Sequence, residues 1–137
     1  MAHDGSATVD MGRPELIEPP SGDYARVDMG NPHLVVRVDD LESVKGSEDD
    51  DVNVEYFVVG PEPDAVTMRV WERGVGETLA CGTGACAVAY VAHSYGIVGR
   101  RVTVHQPGGD AVVELRDDTI TLTGPARHVA TIDWDGA

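Results

Sequence analysis

The chain has few aromatic residues and almost no lysine. Of its 137 residues only 5% are aromatic, with a single Phe, and Lys45 is the one lysine. We therefore expect a core built mainly from Val, Leu, Ile and Ala. The length suits one domain with a sizeable core, so we expect residues 1–137 to form a single domain.

Basic residues are also scarce relative to acidic ones. The 24 Asp and Glu residues against 10 Lys and Arg residues give a net charge of -14. Such a surface repels nucleic acid and anionic membranes, so we expect neither as a partner. The acidic run SEDDD at 47–51 lacks the spaced ligands and central glycine of a calcium loop, and no metal site is expected there.

Long apolar runs and targeting signals are absent from the sequence. No run approaches the roughly 20 residues that cross a bilayer, and the first residues lack a basic-then-apolar signal pattern. The two cysteines, Cys81 and Cys86, would point about 140° apart on a helix, a geometry that disfavours a disulfide between them. Free cysteines are typical of a reducing compartment, so we expect a cytoplasmic location.

The segment 71–95 is a glycine-rich loop followed by a helical pattern. Apolar residues recur at intervals of three and four residues and predict a helix over about 83–95, with Thr83 as N-cap and Gly96 as its stop. The residues that carry this pattern are Ala85, Val88, Ala89, Val91, Ala92 and Tyr95.

Cys81 lies just before this predicted helix. The backbone amides of Gly82, Thr83 and Gly84 have no partners within a helix and can bind an anion. The same helix end is expected to lower the pKa of a nearby thiol. Cys81 is therefore a candidate base or nucleophile, and the alternative from residue types alone is an inert buried cysteine. Cys86, inside the helical run, is predicted to be a core residue.

Alternating apolar residues predict a series of short strands. Residues 18–22, EPPSG, are predicted to form a turn because two prolines interrupt strand pairing, and 39–44 a single helical turn. The predicted strands cover 7–11, 24–29, 34–38, 52–59, 66–71, 101–105, 111–115, 120–123 and 128–134.

Several motifs together resemble one family. The segment ERGVGETLACGTGACA at 72–87 resembles the second cysteine motif of diaminopimelate epimerase, a cofactor-independent enzyme that interconverts LL- and meso-diaminopimelate. VDMGRP at 9–14, DMGNPH at 28–33 and VNVEYF at 52–57 agree in order and spacing, as do PGGDAVVEL and LTGPARHV near the end. The likeness covers about residues 8–132. It implies an α+β fold in which a curved, mostly antiparallel sheet or barrel surrounds the helix.

The resemblance also implies a role for individual residues. Cys81 would be one of two catalytic cysteines, with His33 and Glu72 close enough to adjust thiol pKa values. Substrate would be bound by Asn31, Asn53, Glu72, Arg73, Gly82 and Thr83. Without the resemblance, a plain turn explains Asn31 and His33, and a surface ion pair explains Glu72 and Arg73. His105 and His128 are expected to be scaffold residues.

Only the second half of the family pattern occurs in this sequence. The favoured expectation is a C-terminal domain or split subunit that is inactive without an N-terminal half and its cysteine. A homodimer that sets Cys81 opposite its symmetry mate is the alternative. Other cofactor-independent isomerases, such as proline racemase-like or phenazine-biosynthesis-like proteins, and a non-catalytic interaction module also stay open.

Overall fold

The computed structural model describes residues 6–46 and 52–125, which form ten strands and one helix. The elements are β1 (Ser6–Gly12), β2 (Glu15–Ser21), β3 (Tyr24–Asp28), β4 (Pro32–Arg37), β5 (Asn53–Val59), β6 (Ala65–Glu72), β7 (Gly76–Thr78), α1 (Gly82–Ser94), β8 (Arg101–Gln106), β9 (Gly109–Leu115) and β10 (Ile120–Pro125).

All the strands belong to one mixed sheet. Its order is β1-β10-β9-β8-β6-β5-β4-β3-β2, and the short β7 pairs with β6 beside this path. The pairs β4–β5 and β6–β8 are parallel, whereas the other pairs are antiparallel. The expectation of a mostly antiparallel sheet is confirmed.

The sheet curls around α1. The helix contacts strands from β3 on one side to β10 on the other. It is buried on nearly every face, which its glycines and alanines permit because they let the strands approach closely. The predicted α+β fold with a central helix is confirmed. In the part of the chain that the structure describes, no helix is long and apolar enough to cross a membrane.

The ends of α1 differ slightly from the prediction. The N-cap is Cys81, not Thr83: Cys81 has extended backbone angles and its Sγ accepts a hydrogen bond from the Gly84 N–H at 3.3 Å. A sulfur therefore fills the place that a hydroxyl or carboxylate oxygen usually takes. At the other end Gly96, with φ of 77°, allows the chain to leave the helix, as predicted.

Two local predictions are wrong. Of the turn predicted at 18–22, only Gly22 lies in a turn, whereas residues 18–21 belong to β2. Strand β2 is an edge strand with irregular pairing to β3, and such strands tolerate proline. One helical turn was predicted over 39–44. Instead, residues 41–44 form an isolated turn that is closed by one hydrogen bond, from the Val44 N–H to the Leu41 carbonyl. The predicted strand at 128–134, His128 and the acidic run at 47–51 lie outside the described residues.

Candidate active site

The sheet register brings the predicted site residues to the N-terminal end of α1. His33 pairs with Asn53 at the start of the parallel strands β4 and β5. Strand β6 runs antiparallel to β5, so its final residues, including Glu72, lie level with the start of β5. The strand ends therefore surround Cys81 and Thr83 at the beginning of α1.

A buried histidine–glutamate pair lies at the base of this site. The Nδ1 atom of His33 is 2.8 Å from Oε2 and 3.0 Å from Oε1 of Glu55, and both side chains are fully buried. Burial raises the pKa of Glu55, and the hydrogen bond to His33 opposes this rise. The pair is also packed against the helix, since a Cβ added to Gly84 would lie 3.0 Å from Glu55 Oε2.

Hydrogen bonds connect this pair to Cys81. The Nε2 atom of His33 lies 3.2 Å from Asn31 Oδ1 and 3.2 Å from Thr83 Oγ1. The Thr83 hydroxyl is in turn 3.5 Å from Cys81 Sγ. Four residues that the sequence predicted to share a site thus form one connected series of contacts: Asn31, His33, Thr83 and Cys81.

Cys81 is held from both its backbone and its sulfur. Its N–H donates to Gln106 Oε1 at 2.9 Å, and its Sγ accepts from Gly84. Burial raises the pKa of the Cys81 thiol to about 12, and the nearby carboxyls of Glu55 and Glu72 add to the rise. The donors at the helix start, Thr83 and Gly84, lower the pKa as expected, but desolvation of the thiolate outweighs them, so the net shift is upward.

The first amides of α1 remain available to a ligand. Among residues 6–46 and 52–125, the N–H groups of Gly82 and Thr83 have no hydrogen-bond partner. Such amides, at the positive end of the helix dipole, are suited to a carboxylate or another anion. The Nε2 atom of Gln106 is buried next to this region and also has no partner in the described residues.

Asn53 connects strand ends that border the site. Its Oδ1 accepts a hydrogen bond from the Arg73 backbone N–H at 2.6 Å, and its Nδ2 lies 3.5 Å from the Pro32 carbonyl. Asn53 thereby ties the end of β6 to the beginning of β4. The side chain of Arg73 is exposed, whereas Glu72 is half-buried and close enough to Cys81 to influence its pKa.

Two residues of this site were not predicted from the sequence. Glu55 is on the same face of β5 as the core residue Phe57, and Gln106 is on the same face of β8 as the core residue Val104. A polar residue at an inward position of an alternating strand is the signal that could have identified both.

The remaining predicted candidates lie away from this cluster. Cys86 is fully buried in the core and both cysteines are free, as predicted. His105 is on the outer side of β8, where it contacts Glu62 and Asp110. In the described residues no group of three His, Cys, Asp or Glu side chains is arranged to hold a metal ion.

Residues 25–129 match the family model described as diaminopimelate epimerase. The chain is 43% identical to a diaminopimelate epimerase of Desulfitobacterium hafniense, in an alignment that covers 78% of the chain and 42% of that protein. It is 45% identical to the enzyme of Erythrobacter litoralis, over 80% of the chain and 46% of that protein. With the Bacteroides thetaiotaomicron enzyme, identity is 39% over 96% of the chain and 56% of that protein. The chain thus spans about half the length of these relatives.

Among solved structures, a putative phenazine biosynthesis PhzC/PhzF protein from Clostridium difficile superimposes with a TM-score of 0.56. Its sequence is only 15% identical, and the match covers 88% of this chain and 53% of that one. This likeness shows that the two chains share a fold.

Proposed function

The chain belongs to the diaminopimelate epimerase family, and we propose that it supplies one of the two acid–base cysteines of an epimerase acting on diaminopimelate. The observation that carries this proposal is the position of Cys81. Its sulfur caps the start of α1, where the N–H groups of Gly82 and Thr83 have no partner among residues 6–46 and 52–125, within a cluster of residues that match the family motif.

The reaction requires two groups on opposite faces of the substrate. An epimerase without a cofactor removes the α-proton from one face and delivers a proton to the other. Burial keeps Cys81 protonated, because its pKa is about 12. We therefore assign Cys81 the proton-donating role in one direction of the reaction, with a thiolate on the opposite face as the base.

The start of α1 would hold the substrate's α-carboxylate. Deprotonation of the α-carbon moves negative charge onto this carboxylate, where the Gly82 and Thr83 N–H groups can stabilise it. At the other end of the substrate, Arg73 would bind the distal carboxylate in a forked geometry, and Glu72 would contact the distal amino group. Asn31 and Asn53 would complete the polar contacts. This proposed mechanism assigns no step to a metal or a cofactor.

The second base would come from outside the described chain. The relatives are about twice as long, which supports a partner half that carries the other cysteine. Val75 and Leu79, which flank β7 ahead of Cys81, are 74% and 68% exposed, and exposed apolar side chains of this kind suit a surface that another half covers. Pairing of two copies about a two-fold axis is the alternative.

The cytoplasm is the proposed location.

The conversion of LL- to meso-diaminopimelate, followed by chiral chromatography, tests this proposal. We expect activity when the chain is combined with a separately expressed N-terminal half of a relative, and loss of that activity in Cys81→Ser. Cys86→Ala serves as the matched control and should retain activity, because Cys86 is in the core. Activity of the chain alone that rises faster than linearly with concentration would support the symmetric dimer instead.

The test also separates an enzyme from an interaction module. If Cys81→Ser were as active as the unchanged protein, the catalytic assignment would be wrong. An interaction module would show neither conversion nor any protection of the Cys81 thiol from alkylation by diaminopimelate, even when both halves are present.

A further inference from the structure

Glu55 is a buried titratable residue that the mechanism above does not use. Its side chain is 0% exposed, and in the described residues its carboxyl hydrogen-bonds only to His33. Complete burial of a carboxyl group is costly unless its partner satisfies it. Any influence of Glu55 on the site through hydrogen bonds must therefore pass through the imidazole ring.

The contacts of the ring determine where its protons lie. With the Asn31 amide oriented as in this structure, its Oδ1, which can only accept a hydrogen bond, is 3.2 Å from His33 Nε2, and this orientation requires a hydrogen on that nitrogen. On the other side, one proton is shared between Glu55 and Nδ1. Whether it resides on the carboxyl oxygen or on the nitrogen, Nε2 remains a donor. Glu55 thus keeps the ring in a form whose N–H points towards Asn31 and Thr83.

The hydrogen bonds then run in one direction, towards the sulfur. The single Nε2 hydrogen of His33 is shared between Asn31 Oδ1 and Thr83 Oγ1. Because the Thr83 hydroxyl accepts there, its own hydrogen is free to point at Cys81 Sγ. The Gly84 N–H is a second donor to the same sulfur. Hydrogen bonds donated to a thiolate stabilise it, whereas the carboxyls of Glu55 and Glu72 disfavour it through space.

We propose that Glu55 is a positioning residue for Cys81: it orients the protons of His33 so that the Thr83 hydroxyl donates to the thiolate left after Cys81 gives up its proton. The purpose of this arrangement rests on the proposed function. The arrangement itself can be measured without turnover.

Two substitutions of Glu55 test the proposal, because a positioning role and a purely electrostatic role change the rate of Cys81 alkylation in different ways. In a Cys86→Ala background, the rate of Cys81 alkylation by iodoacetamide at fixed pH reports the thiolate fraction. Glu55→Met cannot hydrogen-bond to Nδ1, so we expect alkylation to slow about tenfold, the usual scale for losing a hydrogen bond to a charged group. Glu55→Gln can still donate to Nδ1 through its amide and should retain most of the rate.

A purely electrostatic role gives the opposite result. If Glu55 acted only through its negative charge, both substitutions would remove that charge and both would accelerate alkylation. Faster alkylation in both variants, or equal slowing in both, would overturn the proposal.

A second pair of variants tests the hydroxyl link independently. Thr83→Val keeps the shape and the backbone amide but removes the hydroxyl, and should slow alkylation to the same degree as Glu55→Met. Thr83→Ser should restore the rate. Combining Thr83→Val with Glu55→Met should add nothing, because both interrupt one chain; additive effects would contradict the proposal.

Nitrogen-15 NMR of His33 completes the test. We expect Nε2 protonated in the unchanged chain and in Glu55→Gln, and a mixture of the two tautomers in Glu55→Met. An unchanged tautomer in Glu55→Met would overturn the proposal. None of these measurements uses substrate, so their failure is distinct from a failure of the epimerase assignment.

Discussion

Two histidine–carboxylate clusters in this fold have similar chemistry and different surroundings. At the start of α1, the His33 and Glu55 side chains are both 0% exposed. On the outer side of β8, the His105 side chain is 23% exposed and contacts Glu62 and Asp110, which are 50% and 63% exposed. The first cluster is linked to Cys81 through Thr83, whereas the second is partly exposed to solvent.

The comparison shows that burial, more than the pairing itself, decides what such a cluster can do. In the exposed cluster, water and salt screen the charges, and each group keeps alternative partners. In the buried cluster, few other groups can accept or donate a proton, and the imidazole ring of His33 is held in one orientation. A fixed proton arrangement is useful only next to a reacting group, which is where the buried cluster lies.

The largest expected difference between the clusters is in stability. Glu55→Ala should destabilise the fold by about 3 kcal/mol, because it leaves a cavity and an unpaired buried ring nitrogen on His33. Glu62→Ala, the matched change in the exposed cluster, should leave the urea unfolding midpoint nearly unchanged. Similar midpoints for the two variants would contradict the comparison.

A smaller effect is expected from crowding the buried cluster. In Gly84→Ala the new Cβ would lie 3.0 Å from Glu55 Oε2 and 3.2 Å from two of its carbons. Alanine favours a helix over glycine by up to about 1 kcal/mol, but Glu55 cannot retreat while His33 holds it, so we expect a net loss of about 1–3 kcal/mol.

Gly99→Ala is the control for this substitution. Its Cβ would meet Asp64 Oδ1 at 3.5 Å, an ordinary contact, so the midpoint should change little. Stabilisation by Gly84→Ala would show that Glu55 is free to move, contrary to our description of the pair.

The smallest expected effect is the pH dependence of the exposed cluster. The hydrogen bond to Glu62, and to a smaller extent the one to Asp110, raises the pKa of His105 above its ordinary 6.5. The protonated ring is thus favoured in the folded state. Its contribution to stability is fully present below pH 6.5 and is lost as the pH rises through the raised value.

NMR titration of His105 checks this prediction. The pKa of His105 should fall towards its ordinary value in Glu62→Gln, and the shift should diminish in high salt because the cluster is partly exposed. A His105 pKa that does not respond to Glu62→Gln would show that the contact is absent in solution.

The sequence predicted those parts of the fold that depend on local periodicity. The helical spacing around Val88 and the glycine stop at Gly96 are local signals, and α1 formed where they placed it. The strand β7 was missed because three residues carry little periodicity; it depends on pairing with β6, supported by the ion pair between Arg69 and Glu77.

The sequence motifs pointed to several residues of the candidate site, but not to Glu55 and Gln106 and not to the electrostatics of the site. The motifs brought out Cys81, Thr83 and His33, and the structure places them in contact. The direction of the Cys81 pKa shift depends on how deeply the strands bury the thiol and on the carboxyl of Glu55, which reaches the site from another strand. Neither quantity is visible in a local pattern.

The central claim, that Cys81 exchanges the substrate's α-proton, is tested most directly by proton NMR of diaminopimelate in D₂O. With the chain and an N-terminal half present, we predict loss of the α-proton signal for the unchanged protein and no comparable loss for Cys81→Ser. Equal rates of signal loss for the two proteins would contradict the account.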